Sequence, residues 1–499
     1  MAAPLISEQF RIHNAQQFYE AFTEASPTNM YFFIGRPQPW ETVLASGVTG
    51  QHSSSYNSSP TDNNPPTPID NFNYESEVFD DMIALKKIPA ANAALVITAN
   101  RWTSGTVYSM YRHNYSADNK ANSSGENASN LYNAKFYVLN ASNYAVYKCI
   151  YNGSTPTNPN GVASTVAPTG TSTSIISTAD GYKWKYMYTL GTDDVLRFLT
   201  TNYMPVNIES AVVNNAALNI GKIDTIVIKN GGSGYNDGTY TNVPIRGDGT
   251  SGAVTITVVG GAITGVSITN GGSNYTFAQV NVNPNEVSGI GSGTSAQLEV
   301  ILPPPGGHGA NAYKELGAKR VMVNVKLEYS ESGEFPVDTD FRRIGIIRDP
   351  KQADGSAATL STYTALKAIK FPTATTVDFV SDETITQTTT NAVGRVVSWD
   401  SATKVLKYYQ TEYEHVTTGN TGGSLTAFSG ANSITGSSSG AVATPDTAYS
   451  GTISNVTFVS GYASSEIQKY SGDVIYVENR KPISRASDQT EDVKLVVEF

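Results

Sequence analysis

The stretch from Ser471 to Phe499, SGDVIYVENRKPISRASDQTEDVKLVVEF, constrains the fold most. Val474, Ile475, Tyr476 and Val477 form one apolar run. Val493, Leu495, Val496 and Val497 form another, which closes on Phe499. β-Branched and aromatic residues suit a pleated, half-buried surface, so both runs are expected to be strands. Between them lies the polar segment Glu478-Asn479-Arg480-Lys481-Pro482. Its proline lacks a backbone donor and disfavours helix before it. Such a terminus is expected to be tied into a sheet.

The rest of the chain has the same character. Its 499 residues imply about two to four domains. Only 15% of residues are charged, while Gly (43) and Tyr (29) are frequent. This mix suits many short strands joined by turns, not helical bundles. The net charge is −10 and the basic residues never cluster, so nothing resembles a nucleic-acid footprint. One cysteine excludes an internal disulfide framework, and Cys149 in YKCIY reads as a small buried hydrophobe. No apolar run approaches the roughly 20 residues that span a bilayer, so no membrane insertion is expected. The first residues lack a signal-peptide core, so synthesis in the cytoplasm without export is expected.

In chain order, Ser7–Phe22 has an apolar stripe of Phe10, Ile12, Ala15, Phe18, Tyr19 and Phe22, predicting a helix. Met30–Ile34 (MYFFI) reads as a buried strand, broken by Gly35-Arg36-Pro37-Gln38-Pro39-Trp40. Trp40 reads as a packing anchor. Gly47–Asn73 is Ser, Asn, Pro and Thr, expected to be a long loop or extended arm. A short helix is expected over Glu75–Lys87, with Val78, Phe79, Ile83 and Leu85 inward. Strands are expected over Leu95–Thr98, Val107–Tyr111, Phe136–Leu139, Ala145–Tyr151 and Gly181–Tyr188, with a short helix near Asp193–Phe198.

The texture changes at Lys222. Ile223-Asp-Thr-Ile-Val-Ile-Lys-Asn-Gly-Gly-Ser-Gly-Tyr235 recurs as Ile263-Thr-Gly-Val-Ser-Ile-Thr-Asn-Gly-Gly-Ser-Asn-Tyr275. Each copy is a strand running into an Asn-Gly-Gly turn, followed by a Gly/Ser-rich turn and a further strand, Ala253–Val259 or Ala296–Ile301. Pro303-Pro304-Pro305 ends the segment. Val321–Leu327 and Asp340–Arg348 read as core strands. Residues from about Val377 to Thr447 form a second change of texture, with short strands suggesting a small barrel. The expected fold is mostly β: a layered β-sandwich core over 1–221, 306–372 and 449–499, a few short helices in loops, and two small inserted β domains at 222–305 and 373–448.

Chemistry-bearing motifs are sparse. His13, His52, His113, His308 and His415 are never at metal-ligand spacing. Neither a Gly-x-Ser-x-Gly elbow nor a Walker phosphate loop occurs. Gly231-Gly-Ser-Gly-Tyr-Asn236 is similar to a calcium nonapeptide but has asparagine where the aspartate belongs, so a tight turn is expected. The reading is therefore a non-enzyme with no cofactor and no metal. Arg342 and Arg480 stand at strand edges, where a guanidinium can pair bidentately with a partner's carboxylate or clamp core strands within the chain. With Arg36, Trp40, Glu478 and Asn479 they form the set of candidate interface or core-clamp residues.

The order Ser471, Gly472, Ile475, Tyr476, Glu478, Asn479, Arg480, Pro482, Ile483, followed by Asp488-Gln489-Thr490-Glu491, resembles the C-terminus of a baseplate wedge subunit. That subunit belongs to T-even-like contractile-tailed phages. Gly35-Arg36-x-x-Pro39-Trp40 resembles the family's N-terminal part. Further likenesses are Asp180-Gly181-Tyr182-x-Trp184-x-Tyr186 and Phe341-Arg342-x-Ile344-x-Ile346-Ile347 with Pro350. The resemblance implies a virion structural protein of the tail baseplate, assembled in the host cytoplasm. It implies a homodimer that joins other wedge proteins and passes baseplate rearrangement to the sheath. Tail-fibre or peripheral baseplate proteins are further expected partners, through the two insertions. The alternative is a tail adhesin whose β modules grip host polysaccharide.

Overall fold

The computed structural model describes residues 5–24, 28–40, 60–116, 128, 130–331, 333–337, 339–410, 426–486 and 488–499. The fold is mostly β, with several antiparallel sheets and a few short helices. The chain divides into two compact units. One is Met1–Tyr19, Ala94–Met322 and Val496–Phe499; the other is Glu20–Ala93 and Val323–Leu495.

In the first unit, the strands Tyr137–Asn140, Ala145–Asn152, Tyr182–Thr189 and Ile176–Ser177 lie side by side in that order. Tyr182 and Trp184 stack at 5.2 Å, and Tyr108 meets Trp184 edge-on at 5.9 Å, filling the core with rings. Burial on both faces explains the near-continuous apolar run of Ala145–Asn152. The helix Glu8–Thr23 buries Ile12 and Ala15 but leaves Phe10 54% exposed, contrary to the expected stripe. Val107–Tyr111, expected as a strand, forms no regular ladder. Its N–H groups go instead to scattered partners: Tyr108 to the Tyr182 hydroxyl at 3.0 Å, Ser109 to the Lys135 carbonyl at 3.2 Å and Tyr111 to the Cys149 carbonyl at 2.8 Å. The segment thus pairs its buried backbone without regular pleating. The helix Ser210–Ala217, not foreseen, buries Val212 and Ala216 and has no side-chain cap.

The repeat segment has its own apolar core of Ile223, Val254, Ile256, Ile263 and Ile290. Thr225–Ser233 pairs with Thr294–Ile301, and Ala253–Val259 lies between Gly238–Pro244 and Ala262–Asn270. Both copies turn alike. The Asn230 carboxamide oxygen accepts the Gly232 N–H at 2.8 Å, and Asn270 accepts that of Gly272 at 3.0 Å, as in Asx turns. Gly232 and Gly272 have φ of 69° and 64°. A Cβ there would lie 2.5 Å from the Thr294 carbonyl and 2.4 Å from the Thr250 carbonyl. Glycine is therefore required by both conformation and space. Tyr275 donates to the Ile245 carbonyl at 3.0 Å and accepts from the Gly252 N–H at 3.1 Å.

In the second unit, a five-stranded antiparallel sheet runs in the order Thr362–Thr364, Met82–Lys87, Met30–Gly35, Thr339–Arg348, Asp473–Arg485. The MYFFI run is its fully buried centre, and Phe33 faces Leu85 on one side and Gly345 on the other. A Cβ on Gly345 would come 2.3 Å from the Tyr476 carbonyl, so that position admits only glycine. The helix expected over Glu75–Lys87 ends early. It spans Phe72–Asp80, capped by Asn71, and Met82–Lys87 is a strand. Val78, Phe79, Ile83 and Leu85 are all buried as expected. Ladder bonds to Met30–Gly35 override the helical spacing, as tertiary pairing commonly does.

The polar segment at Glu478–Pro482 also departs from expectation. It is not a linker but the middle of one strand, Asp473–Arg485. Register places Arg343 opposite Asn479 and Phe341 opposite Ile483, so Arg480, Lys481 and Pro482 bulge out of the ladder. A bulge needs no donor at every residue, and the strand is at the sheet's edge, so the proline is tolerated. A second sheet in this unit orders Val442–Ala443, Ile434–Gly436, Thr384–Gln387, Val393–Asp400, Val405–Tyr409, Lys367–Lys370 and Tyr462–Ala463. It encloses Phe371, Ile385, Val396, Leu406 and Ile434.

Candidate arginine node at the C-terminal sheet

Four of the six singled-out side chains meet in one place in the second unit. As the chain leaves the buried strand Met30–Gly35, Arg36 takes a left-handed φ of 54° and its N–H donates to the Asp81 carbonyl at 3.0 Å. Its guanidinium is 1% exposed, 5.0 Å above the Trp40 ring, with Nη2 donating to the Pro39 carbonyl at 3.0 Å. Nη1 lies 4.0 Å from the Asp81 carboxylate. Burial lowers the Arg36 pKa, and Asp81 works against that shift.

Arg342 and Arg343 are consecutive on one strand, so their side chains leave opposite faces. The Asp62 carboxylate receives Arg342 Nε at 2.8 Å and Nη2 at 2.9 Å, a bidentate fork. Arg342 also donates to the Pro37 carbonyl at 2.6 Å and to Asp340 at 3.2 Å. Burial works against ionised Asp62, but hydrogen bonds from Arg342 and from the Trp40 N–H outweigh it and hold its pKa below the usual range. Arg343, on the other face, is fully buried. It donates to Asp81 at 2.6 Å and to the Asn479 carboxamide oxygen at 3.2 Å, with the Tyr74 and Trp40 rings 5.1 and 5.6 Å from its guanidinium carbon. Burial raises the Asp81 pKa, while Arg343 and Arg36 oppose the rise.

The edge strand is held by the same residues. Trp40 Nε1 donates to the Arg480 carbonyl at 2.9 Å. Asn479 donates to the Pro66 carbonyl at 2.9 Å and accepts from the Tyr74 hydroxyl at 2.9 Å. Arg36, Trp40, Arg342 and Asn479 are therefore brought together. Glu478 and Arg480 are not: their side chains form a 3.6 Å ion pair, 37% and 41% exposed, and only the Arg480 backbone enters the node. Sequence reasoning missed Arg343, Asp62, Asp81 and Tyr74. Asp62 sits in a segment that composition marks only as polar. Asp81 falls inside the expected helix Glu75–Lys87, whereas the helix stops at Asp80 and Asp81 becomes its C-cap.

Each charge in this node is matched by a charge or carbonyl of the same chain, which is the chemistry of a clamp. Among the described residues no group of three His, Cys, Asp or Glu could hold a metal ion. His13 is exposed; His113 Nδ1 accepts the Leu302 N–H at 3.2 Å; burial pushes His308 well below its ordinary pKa. His52 and His415 lie outside the described residues. Burial pushes the Cys149 thiol well up, which disfavours thiolate. No described helix is long and apolar enough to cross a membrane.

Residues 445–499 match a family model, phage Gp8, described by the Gp8 protein of bacteriophage T4. No curated protein matches the chain. The matched stretch contains Ser471–Phe499; the likenesses at Gly35–Trp40, Asp180–Tyr186 and Phe341–Pro350 lie outside it. The match supports a structural role in a T4-like phage baseplate.

Proposed function

We propose that this chain is a subunit of the baseplate wedge of a contractile tail, acting as a homodimeric bracket. It links neighbouring wedge proteins and passes baseplate rearrangement toward sheath contraction. The observation that carries this reading is the match over 445–499, whose Asp473–Arg485 segment forms a sheet edge clamped by Arg343, Asn479 and Trp40. A part that transmits force needs stiff sheets and wide interfaces more than a catalytic pocket. In this reading the segments 222–305 and 373–448 are modules that decorate the core and face fibre or peripheral baseplate proteins. The half-exposed Arg480–Glu478 ion pair, outside the node, faces a partner in this reading. Light scattering on a sizing column tests the bracket. A mass near twice the 53.2 kDa of one chain is expected. A trimer that binds glycans would favour an adhesin and overturn it.

A further inference from the structure

A groove of about 460 Å³ lies in the second unit beside the edge strand Asp473–Arg485. Ile69, Phe72 and Tyr74 line one wall and Val474, Ile475 and Tyr476 the other. Phe72 is 89% and Ile475 39% exposed, so large apolar surface stands at its lips. The strand is the last in its sheet among the described residues. Register runs from Ile346 opposite Tyr476 to Ile347 opposite Val474, which leaves Ile475 as an extra, bulged residue. From Asn479 onward the strand is already engaged through Pro66 and Trp40. The open length is therefore Asp473–Glu478.

Charge restricts what can lie there. Asp70 and Glu75 line the groove, and Asp473 and Glu478 flank it in the strand. Arg348 pairs with Asp473 at the strand's start and Arg480 with Glu478, so Asp70 and Glu75 set the sign of the site. A second copy, with a net charge of −10, is a poor match for an acidic rim. We infer that this groove seats a short extended segment of another baseplate protein, with alternating apolar residues and Lys or Arg at its ends, added to the sheet edge. Main-chain bonds to the edge give affinity, and Phe72 and Ile475 receive the apolar side chains. The inference rests on the baseplate reading.

The test uses assembled virions carrying Phe72→4-benzoylphenylalanine, or the same photoprobe at Asp70 if particles exclude the first. Cross-links mapped by mass spectrometry are expected on a basic-flanked segment of a different chain. Cross-links to a second copy or to a helix, or none in particles that contain the substituted chain, would overturn the inference. Ile475→Asp gives a second reading, because Ile475 is not core. Its incorporation into tails should fall at least about tenfold, the size of a modest hot spot, while its solution mass equals that of the unaltered chain. Unchanged incorporation contradicts the inference, and so does a halved mass, which would assign the groove to self-association. An unaltered chain that is itself monomeric or trimeric would instead count against the bracket.

Discussion

The sheet around Arg343 and the repeat segment hold irregular backbone in opposite ways. The sheet uses buried charge across long sequence distances: Arg342 and Asp62 are 280 positions apart, Arg343 and Asp81 262. The repeat uses conformation at short range. Its glycines accept left-handed turns, and Tyr275 bonds Gly252 and Ile245 within 30 positions. Long-range ion pairs can only form after distant segments have met, so the node secures a completed sheet. Glycine turns are compatible with local folding, which predicts that the repeat behaves as a graft. The two strategies predict different failures.

The largest loss should come from the node. Arg343→Ala leaves buried Asp81 with only the more distant Arg36, 4.0 Å away, as its cation and should cost about 3–5 kcal/mol in urea unfolding. Equal stability to the parent would mean that the ion pair is dispensable. In the repeat, Gly272→Ala should cost at least about 2 kcal/mol through strain and collision with the Thr250 carbonyl. Gly260→Ala, with similar φ but open space around it, should cost only about 1 kcal/mol. Hydrogen exchange should confine both effects to residues 225–301; spreading into the neighbouring core would erase the contrast.

Smaller changes sharpen it. Trp40→Phe keeps a ring beside Arg36 but removes the donor to the Arg480 carbonyl, a loss of about 1 kcal/mol. Amides near Asn479 should then exchange faster. Replacing residues 230–297 by Asn-Gly, keeping Ile228 opposite Leu298, should change the stability of the remainder by no more than about 1 kcal/mol. Val227 and Ile301, which pack into the adjoining core, are retained in that variant. An insoluble product would show that the module is not a graft. The smallest effect is a pH dependence. Asp248 is held down to about 2 by hydrogen bonds from the Thr276 hydroxyl and the Phe277 and Thr276 N–H groups. A depressed carboxyl stabilises the fold above its unfolded pKa and loses that contribution as pH falls toward about 2. Local stability of the repeat should decline over that window, and Asp248→Asn should flatten the decline.

Much of the β architecture was legible, because apolar runs such as Met30–Ile34 and Ala145–Tyr151 report burial directly. The Asn-Gly-Gly turns were legible because their chemistry is local. Met82–Lys87 was not, since helical spacing and strand alternation coincide over so short a run and the pairing strand lies far away in sequence. Glu478–Pro482 misled because a proline reads as a break unless its own strand is known to bulge there. The candidate set caught Arg36, Trp40, Arg342 and Asn479. It missed Asp62, Asp81 and Arg343 because counter-charges are chosen by three-dimensional proximity, which spacing along a chain does not encode.

The baseplate role is tested most directly by gold-labelled antibody against residues 230–297 on intact virions. Label at the base of the tail is the predicted result. Label on distal fibre tips, or on no part of the particle although the chain is detected in infected cells, would contradict it.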